Sequence, residues 1–293
     1  MKVLLLGSNG QLGWELQRTC PAGMDLTLCD YPKVDFTTTD SIAQCIQAAS
    51  PDVIINAAAY TAVDKAETEP ALADRINHLA VREIAGLCRT HNIRLVHIST
   101  DFVFSGNHCR PYQPRETPDP VSEYGRSKLQ GEQAVQETLD RSLIIRTAWL
   151  YSAHGANFVK TMLRLMKEKP TLTVIDEQIG TPTWANGLAR TVWQAIDKNL
   201  SGIFHWTDAG VASWYDFAVA IQELALDLGL VKTAVPIQPV PATAFPTPAQ
   251  RPMYGVLDKT SILQALKDTR PVHWRSQLKT MLTEYQALDP KCS

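Results

Sequence analysis

Four apolar residues, Val3 to Leu6, run straight into Gly7-Ser-Asn-Gly-Gln-Leu-Gly13, and an amphipathic stretch continues to Cys20. No other feature narrows the fold as much. A short continuous apolar run suits a parallel strand buried on both faces. Three glycines at three-residue spacing then permit a tight turn, a close approach of backbone to a bound group, and close packing of helix on strand. The helix that follows turns free N–H groups and its positive dipole end toward that turn, which suits an anion. The spacing is Gly-x-x-Gly-x-x-Gly rather than Gly-x-Gly-x-x-Gly, and a glycine-rich turn without a ligand is the bland alternative. The strand–turn–helix context points instead to a dinucleotide pyrophosphate, with Gly7, Gly10, Gln11, Leu12 and Gly13 around it.

The rest of the chain repeats the same unit. Further strands are expected at 26–29, 53–55, 95–98 and 143–145, with helices at 40–49, 71–92 and 122–139 between them. Five β–α alternations predict an α/β fold, a doubly wound Rossmann-type parallel sheet. Periodicity weakens after Trp149; helices are expected at 157–167, 184–198 and 214–228, with short strands at 172–175 and 203–206. Prolines at 236, 239, 241, 246, 248 and 252 predict an extended, loop-rich stretch. Residues 1–150 are therefore read as the cofactor domain and 151–293 mainly as a smaller, irregular substrate lobe. A segment near 178–200 is expected to return to the first domain.

Asp30 closes the second strand about 20 residues after the glycine turn, where an acidic side chain reaches ribose hydroxyls and disfavours a 2′-phosphate. Capping a turn is its alternative. Asp35 and Phe36 lie where an adenine contact is reasonable. Asn56-Ala-Ala-Ala59 ends the third strand with side chains small enough for a cofactor to lie against backbone.

Tyr124 and Lys128 stand four residues apart at the start of a helix, on one face of it. A phenol has an ordinary pKa of about 10, and a neighbouring ammonium is expected to lower it. The pair follows a long loop, 105–120, and so lies beside the carboxyl ends of the strands, where such sheets bind ligands. Ser99-Thr-Asp101 ends the fourth strand, and the Thr100 hydroxyl can polarise the carbonyl that Tyr124 protonates. An exposed helix pair and a strand-end turn are the bland readings of these two motifs.

A net charge of −2 supplies no basic field for nucleic acid. No apolar run is long enough to span a bilayer or to serve as a signal-peptide core, so a cytoplasmic address without membrane contact is expected. The six cysteines (20, 29, 45, 88, 109 and 292) show no Cys-x-x-Cys pair and read as reduced core residues rather than disulfide or zinc ligands.

Together, the glycine turn, Asn56-Ala-Ala-Ala59, Ser99-Thr-Asp101 and Tyr124-x-x-x-Lys128 resemble the extended short-chain dehydrogenase/reductase family. Gly10-Gln-Leu-Gly-Trp-Glu-Leu-Gln17, Ala58-Ala-Tyr-Thr-Ala-Val-Asp-Lys-Ala-Glu67, Arg146-Thr-Ala-Trp-Leu-Tyr151 and Pro246-Thr-Pro-Ala-Gln-Arg-Pro252 narrow the likeness to its dTDP-4-dehydrorhamnose reductase branch. The resemblance implies reduction of the C4 ketone of a dTDP-bound 4-keto-6-deoxy sugar by NADPH or NADH. Tyr124 would donate the proton, Lys128 would tune it and reach the nicotinamide ribose, and Thr100 would adjust acidity. Ala58, Ala59 and Tyr60 would join the cofactor site. Thr100, Asp101 and Trp149 would contact the sugar, and Arg251 the diphosphate. Some relatives hold Mg2+ between glutamates at a dimer interface. Here Glu15 and Glu284 match two of those positions, but the third falls near Asn186, so neither the ion nor that dimer is expected and the chain is read as a monomer or homodimer. Phe102 replaces the tyrosine more usual after Thr-Asp, keeping the ring without its hydroxyl.

Two other readings stay open. A dehydratase or epimerase would share the Tyr–Lys pair, but in the dehydratases the strand ends in Thr-Asp-Glu, and Phe102 cannot transfer protons. A non-catalytic regulatory subunit, like the β subunit of methionine adenosyltransferase, would bind the cofactor without this chemistry.

Overall fold

The computed structural model describes residues 1–267 and 269–288; Cys292 lies outside them. The first half alternates strand and helix: β1 (Lys2–Leu6), α1 (Gln11–Arg18), β2 (Asp25–Cys29), α2 (Thr39–Ala49), β3 (Val53–Asn56), α3 (Val63–Ala66), α4 (Pro70–Asp74), α5 (Ala80–His91), β4 (Arg94–Thr100), α6 (Glu123–Thr138) and β5 (Ser142–Thr147). The second half has shorter strands: β6 (Leu150–Tyr151), α7 (Phe158–Glu168), β7 (Leu172–Ile175), β8 (Ile179–Gly180), β9 (Thr183–Trp184), α8 (Ala185–Asp197), β10 (Gly202–His205), β11 (Ala212–Ser213), α9 (Trp214–Asp227), β12 (Ile237–Val240), α10 (Thr260–Ala265) and α11 (Trp274–Leu288).

Six strands form one parallel sheet in the order β2-β1-β3-β4-β5-β10. Successive β1 residues alternate between its faces. Val3 and Leu5 pack with Leu16, Leu188 and Val192 of α1 and α8, whereas Leu4 and Leu6 pack with Ile42, Ile84 and Val135 of α2, α5 and α6. Both faces of β1 are thus covered, as its unbroken apolar run requires. Strand order reverses at β1, between β2 and β3. The crevice at their carboxyl ends is where doubly wound sheets bind ligands.

After β5 the chain builds a second core from α7, α9 and α11, including Val159, Leu163, Phe217, Ile221 and Leu278. The chain also returns to the sheet, where α8 covers one face beside α1 and β10 pairs with β5. The helix expected at 71–92 is interrupted by one wide π turn, Arg75–Leu79. At that turn the Asn77 amide bonds the Tyr60 backbone and the Ser127 hydroxyl.

One expectation is corrected. Cys29, ending β2, is disulfide-bonded to Cys45 on α2. The sequence carries no spacing signal for this pair, because only the β2–α2 crossover brings strand end and helix face together. Cys20, Cys88 and Cys109 are free. Among the described residues no helix is long and apolar enough to cross a membrane.

Candidate active site

The cleft at the β1–β3 crevice, about 620 Å³, is floored by the glycine turn. Gly7 has φ +80°, and a Cβ there would lie 2.5 Å from the Ala58 nitrogen. A Cβ on Gly13 would lie 2.1 Å from the Gly7 carbonyl oxygen. Both glycines therefore let backbone meet backbone, Gly7 against the end of β3 and Gly13 between turn and helix. Gly10, Gln11 and Leu12 line the cleft, and Ala57, Ala58 and Ala59 form its opposite wall. The glycine floor, the amino end of α1 and the alanine wall fit an extended dinucleotide with its pyrophosphate on the turn.

Asp30 also lines the cleft, with one carboxylate oxygen accepting from the Asn9 N–H at 2.7 Å and the other from the Tyr31 N–H at 2.8 Å. It thus braces the glycine turn while facing the cleft. Three residues expected near the cofactor are not among those lining this cleft. Asp35 accepts from the Thr37 N–H and hydroxyl, which hold its carboxyl below the usual range. Phe36 is buried in the core between α2 and α5. The Tyr60 hydroxyl donates to Glu69 at 2.6 Å.

The chemical end of the cleft lies where β4 meets α6. Ser122 caps α6 by accepting from the Gly125 N–H at 3.2 Å. Gly125 rests on the Phe102 carbonyl and Gly131 on the Asn77 carbonyl, each so close that a Cβ would fall within 2.3 Å of the oxygen. Two glycines thus let α6 sink onto its neighbours and carry Tyr124 into the cleft beside Thr100, whose hydroxyl favours the phenolate form of Tyr124. Phe102 meets the Tyr124 ring edge-on at 5.4 Å. Lys128 is buried and donates to the Ile98 carbonyl at 2.8 Å.

The electrostatics differ from the expectation of a phenol acidified by its lysine. Burial pushes Tyr124 up to about 12, with the Thr100 hydrogen bond opposing and the Asp101 charge reinforcing that rise. Burial pulls Lys128 down to about 8, against an upward pull from Glu132. Desolvation outweighs the i, i+4 ammonium, and Tyr124 is a neutral phenol at physiological pH. That state suits a donor to a developing alkoxide.

Trp149, with φ +47°, stacks on Trp214 at 3.6 Å between ring centroids. Its indole lies over Gly180, where a Cβ would come within 2.5 Å of the ring. Trp149 lines the first cleft, and Trp214 lines a second cavity of about 710 Å³ with Phe158, Met162, Phe245 and Arg251. The stacked pair is the wall between them. Arg251 is held by Asp64 at 2.7 and 3.0 Å and by the Thr247 hydroxyl at 2.6 Å.

Glu15 and Glu284 do converge, but on a guanidinium: Arg18 donates to each at 2.6 Å. The remaining bonds of buried Glu15 come from the Asn186 amide at 2.8 Å and the Ser152 hydroxyl at 3.1 Å. A permanent cation already stands between the carboxylates, so these residues do not fit a divalent ion. Among the described residues no group of three or more His, Cys, Asp or Glu side chains could hold a metal ion.

Sequence reasoning missed the strap 152–157, in which Gly155 and Ala156 complete the cleft. Here His154 contacts the Asn9 carbonyl at 3.2 Å, and the Asn157 amide donates to Gln11 at 3.0 Å. Partners 145 residues apart leave no periodic signal.

A family model described as RmlD substrate binding domain matches residues 1–287. The dTDP-4-dehydrorhamnose reductase of Salmonella typhimurium is 40% identical over 293 residues, covering 97% of this chain and 98% of its own. Among solved structures, dTDP-4-dehydrorhamnose reductase from Bacillus anthracis in complex with NADP is 36% identical, with a TM-score of 0.91 over 97% of this chain and 99% of that one. The Clostridium acetobutylicum ortholog is 38% identical, with a TM-score of 0.92 over 98% and 100%.

Proposed function

Because the chain belongs to the dTDP-4-dehydrorhamnose reductase family, we propose that it reduces the C4 ketone of dTDP-4-dehydro-β-L-rhamnose to dTDP-L-rhamnose with NADPH or NADH, the last step in making that nucleotide sugar. One observation carries the reading: Thr100, Tyr124 and the cofactor cradle share a cleft separated from the cavity holding Arg251 only by the stacked pair Trp149 and Trp214.

The reduced nicotinamide supplies the hydride. Around it, the glycine turn and α1 hold the pyrophosphate, Asp30 faces the adenosine ribose, and Ala58 and Ala59 let the cofactor lie on backbone. Tyr124 gives its proton to the ketone oxygen as charge develops there, and Thr100 steadies the phenol oxygen. Buried Lys128 offers its ammonium to the ribose and to the emerging phenolate. The sugar lies against Trp149 and Asp101, with the nucleotide in the second cavity. Arg251, with its planar fork, exchanges the Asp64 carboxylate for diphosphate oxygens. Dehydration finds no base at Phe102, whose ring only packs on Tyr124. The partners in this reading are the dTDP-keto-sugar and neither nucleic acid nor membrane, in the cytoplasm. Incubation with NADPH and the enzymatically generated keto-sugar should yield oxidised cofactor and dTDP-L-rhamnose by NMR. An intact keto-sugar after prolonged incubation would overturn the assignment.

A further inference from the structure

Behind Tyr124 a second proton-bearing group reaches the same Thr100 hydroxyl. Tyr124 shares the cleft with Thr100, whose hydroxyl acts on the phenol and donates to an Asp101 carboxyl oxygen at 3.1 Å. Thr100 Oγ1 also accepts from the Phe102 N–H at 3.2 Å, which fixes its rotamer. Asp101 is 3% exposed. Its other oxygen faces the backbone of Gly255, where a Cβ would lie 2.5 Å away. No cation is within ion-pair reach of it among the described residues: Arg251, on the same segment as Gly255, is taken by Asp64, and Lys128, a turn beyond Tyr124 on α6, is turned to the Ile98 carbonyl. A dry carboxyl without a counter-charge favours its neutral form.

We propose, building on the reductase reading, that Asp101 stores the proton that restores Tyr124, passing it through Thr100. With the ketone bound, the chain is Asp101 O–H to Thr100 Oγ1, Thr100 O–H to the Tyr124 oxygen, and Tyr124 O–H to the ketone oxygen. The ketone carbon takes the hydride of the reduced cofactor while its oxygen takes the Tyr124 proton. The Thr100 proton moves to the phenolate, and the Asp101 proton moves to Thr100. The balance is one ketone, one hydride and one proton giving one alcohol, with the cofactor oxidised and Asp101 left as carboxylate. Solvent reprotonates Asp101 when the product leaves. Burial pushes this carboxyl up to about 7, against the hydrogen bonds it accepts from Thr100 and from backbone N–H groups, which favours the loaded store. Besides lying against the sugar, Asp101 reaches Tyr124 through Thr100, and its removal should leave cofactor binding alone.

The test joins two readouts on the full-length protein. Infrared difference spectra between mildly acidic and alkaline pH should show protonated-carboxyl absorption in wild type that Asp101→Asn reduces, the remainder coming from Asp208. With NADPH and the keto-sugar, wild-type kcat should fall as pH rises through the ionisation. Asp101→Asn and Thr100→Val should flatten that profile and lower kcat by roughly tenfold or more, with NADPH affinity unchanged as the check on folding. A band that Asp101→Asn leaves unchanged, or a pH break that survives in Asp101→Asn, overturns the relay. A wild type that oxidises no NADPH with the keto-sugar overturns the reductase reading and the relay with it. The band separates that case from failure of the relay alone.

Discussion

Replacing Gly13 with alanine sets a local gain against a specific clash. Gly13 lies in the first turn of α1, where alanine is the better helix former by about 1 kcal/mol. Its new methyl would meet the Gly7 oxygen at 2.1 Å and the Ser8 Cα and carbonyl carbon at 2.7 Å, all backbone atoms of the turn proposed to cradle phosphate. Contact becomes ordinary near 3.4 Å, so helix and turn must part by about 1.3 Å. No flexible side chain can absorb that movement. Overpacking of this kind costs up to about 3 kcal/mol, leaving a net loss of about 2 kcal/mol and a melting temperature lower by roughly 4–8 °C. The larger effect should fall on ligand binding, because the displaced atoms are those proposed to face the pyrophosphate. NADPH affinity, read by fluorescence titration, should drop by roughly tenfold or more, equivalent to about 1.4 kcal/mol. An alanine variant that binds NADPH as tightly as wild type and melts at the same or a higher temperature would refute this account of the turn.

Three further outcomes follow from the same geometry. Asp30→Asn keeps an oxygen for the Asn9 N–H but removes a charge beside the ribose; the ratio of kcat/KM for NADPH over NADH should rise by roughly tenfold, and an unchanged ratio would remove Asp30 from cofactor selection. Chelators should leave melting temperature and turnover untouched, since Arg18 stands between Glu15 and Glu284; a clear thermal shift on adding magnesium would contradict that. Burial pushes Asp208 up to about 7, so the folded chain keeps a proton that the unfolded one loses above about 3.9. Its contribution is fully present below the unfolded value and disappears as pH rises through about 7. Wild type should therefore lose more stability than Asp208→Asn between about pH 6 and about pH 8.5, and parallel melting curves would count against it.

How much of this was legible beforehand depended on the range of the interactions involved. The β1–glycine–α1 unit could be read because its signals are local: an apolar run, three glycines and a helix start within about a dozen residues. Tyr124 and Lys128 were legible as a pair for the same reason, yet their electrostatics were not. Spacing shows that the two share a helix face, but only the packing of Gly125 and Gly131 reveals how dry that face is. Asp35 and Phe36 stand at plausible distances along the chain, but only the structure shows that the turn after β2 engages one in a bond from Thr37 and packs the other between α2 and α5. Long-range pairings such as Arg251 with Asp64, the strap over Gln11 and the Cys29–Cys45 bond leave no trace in local pattern. Their partners meet only once the sheet has formed.

The central claim is that Tyr124 delivers the proton in a cleft that also holds the cofactor. Its most direct test is the absorbance decay of NADPH with dTDP-4-dehydro-β-L-rhamnose, comparing wild type with Tyr124→Phe. The ring and its contact with Phe102 survive in the variant, but the proton does not. Decay should slow by at least ~100-fold with NADPH affinity nearly unchanged. A phenylalanine variant that turns over at the wild-type rate would contradict the account.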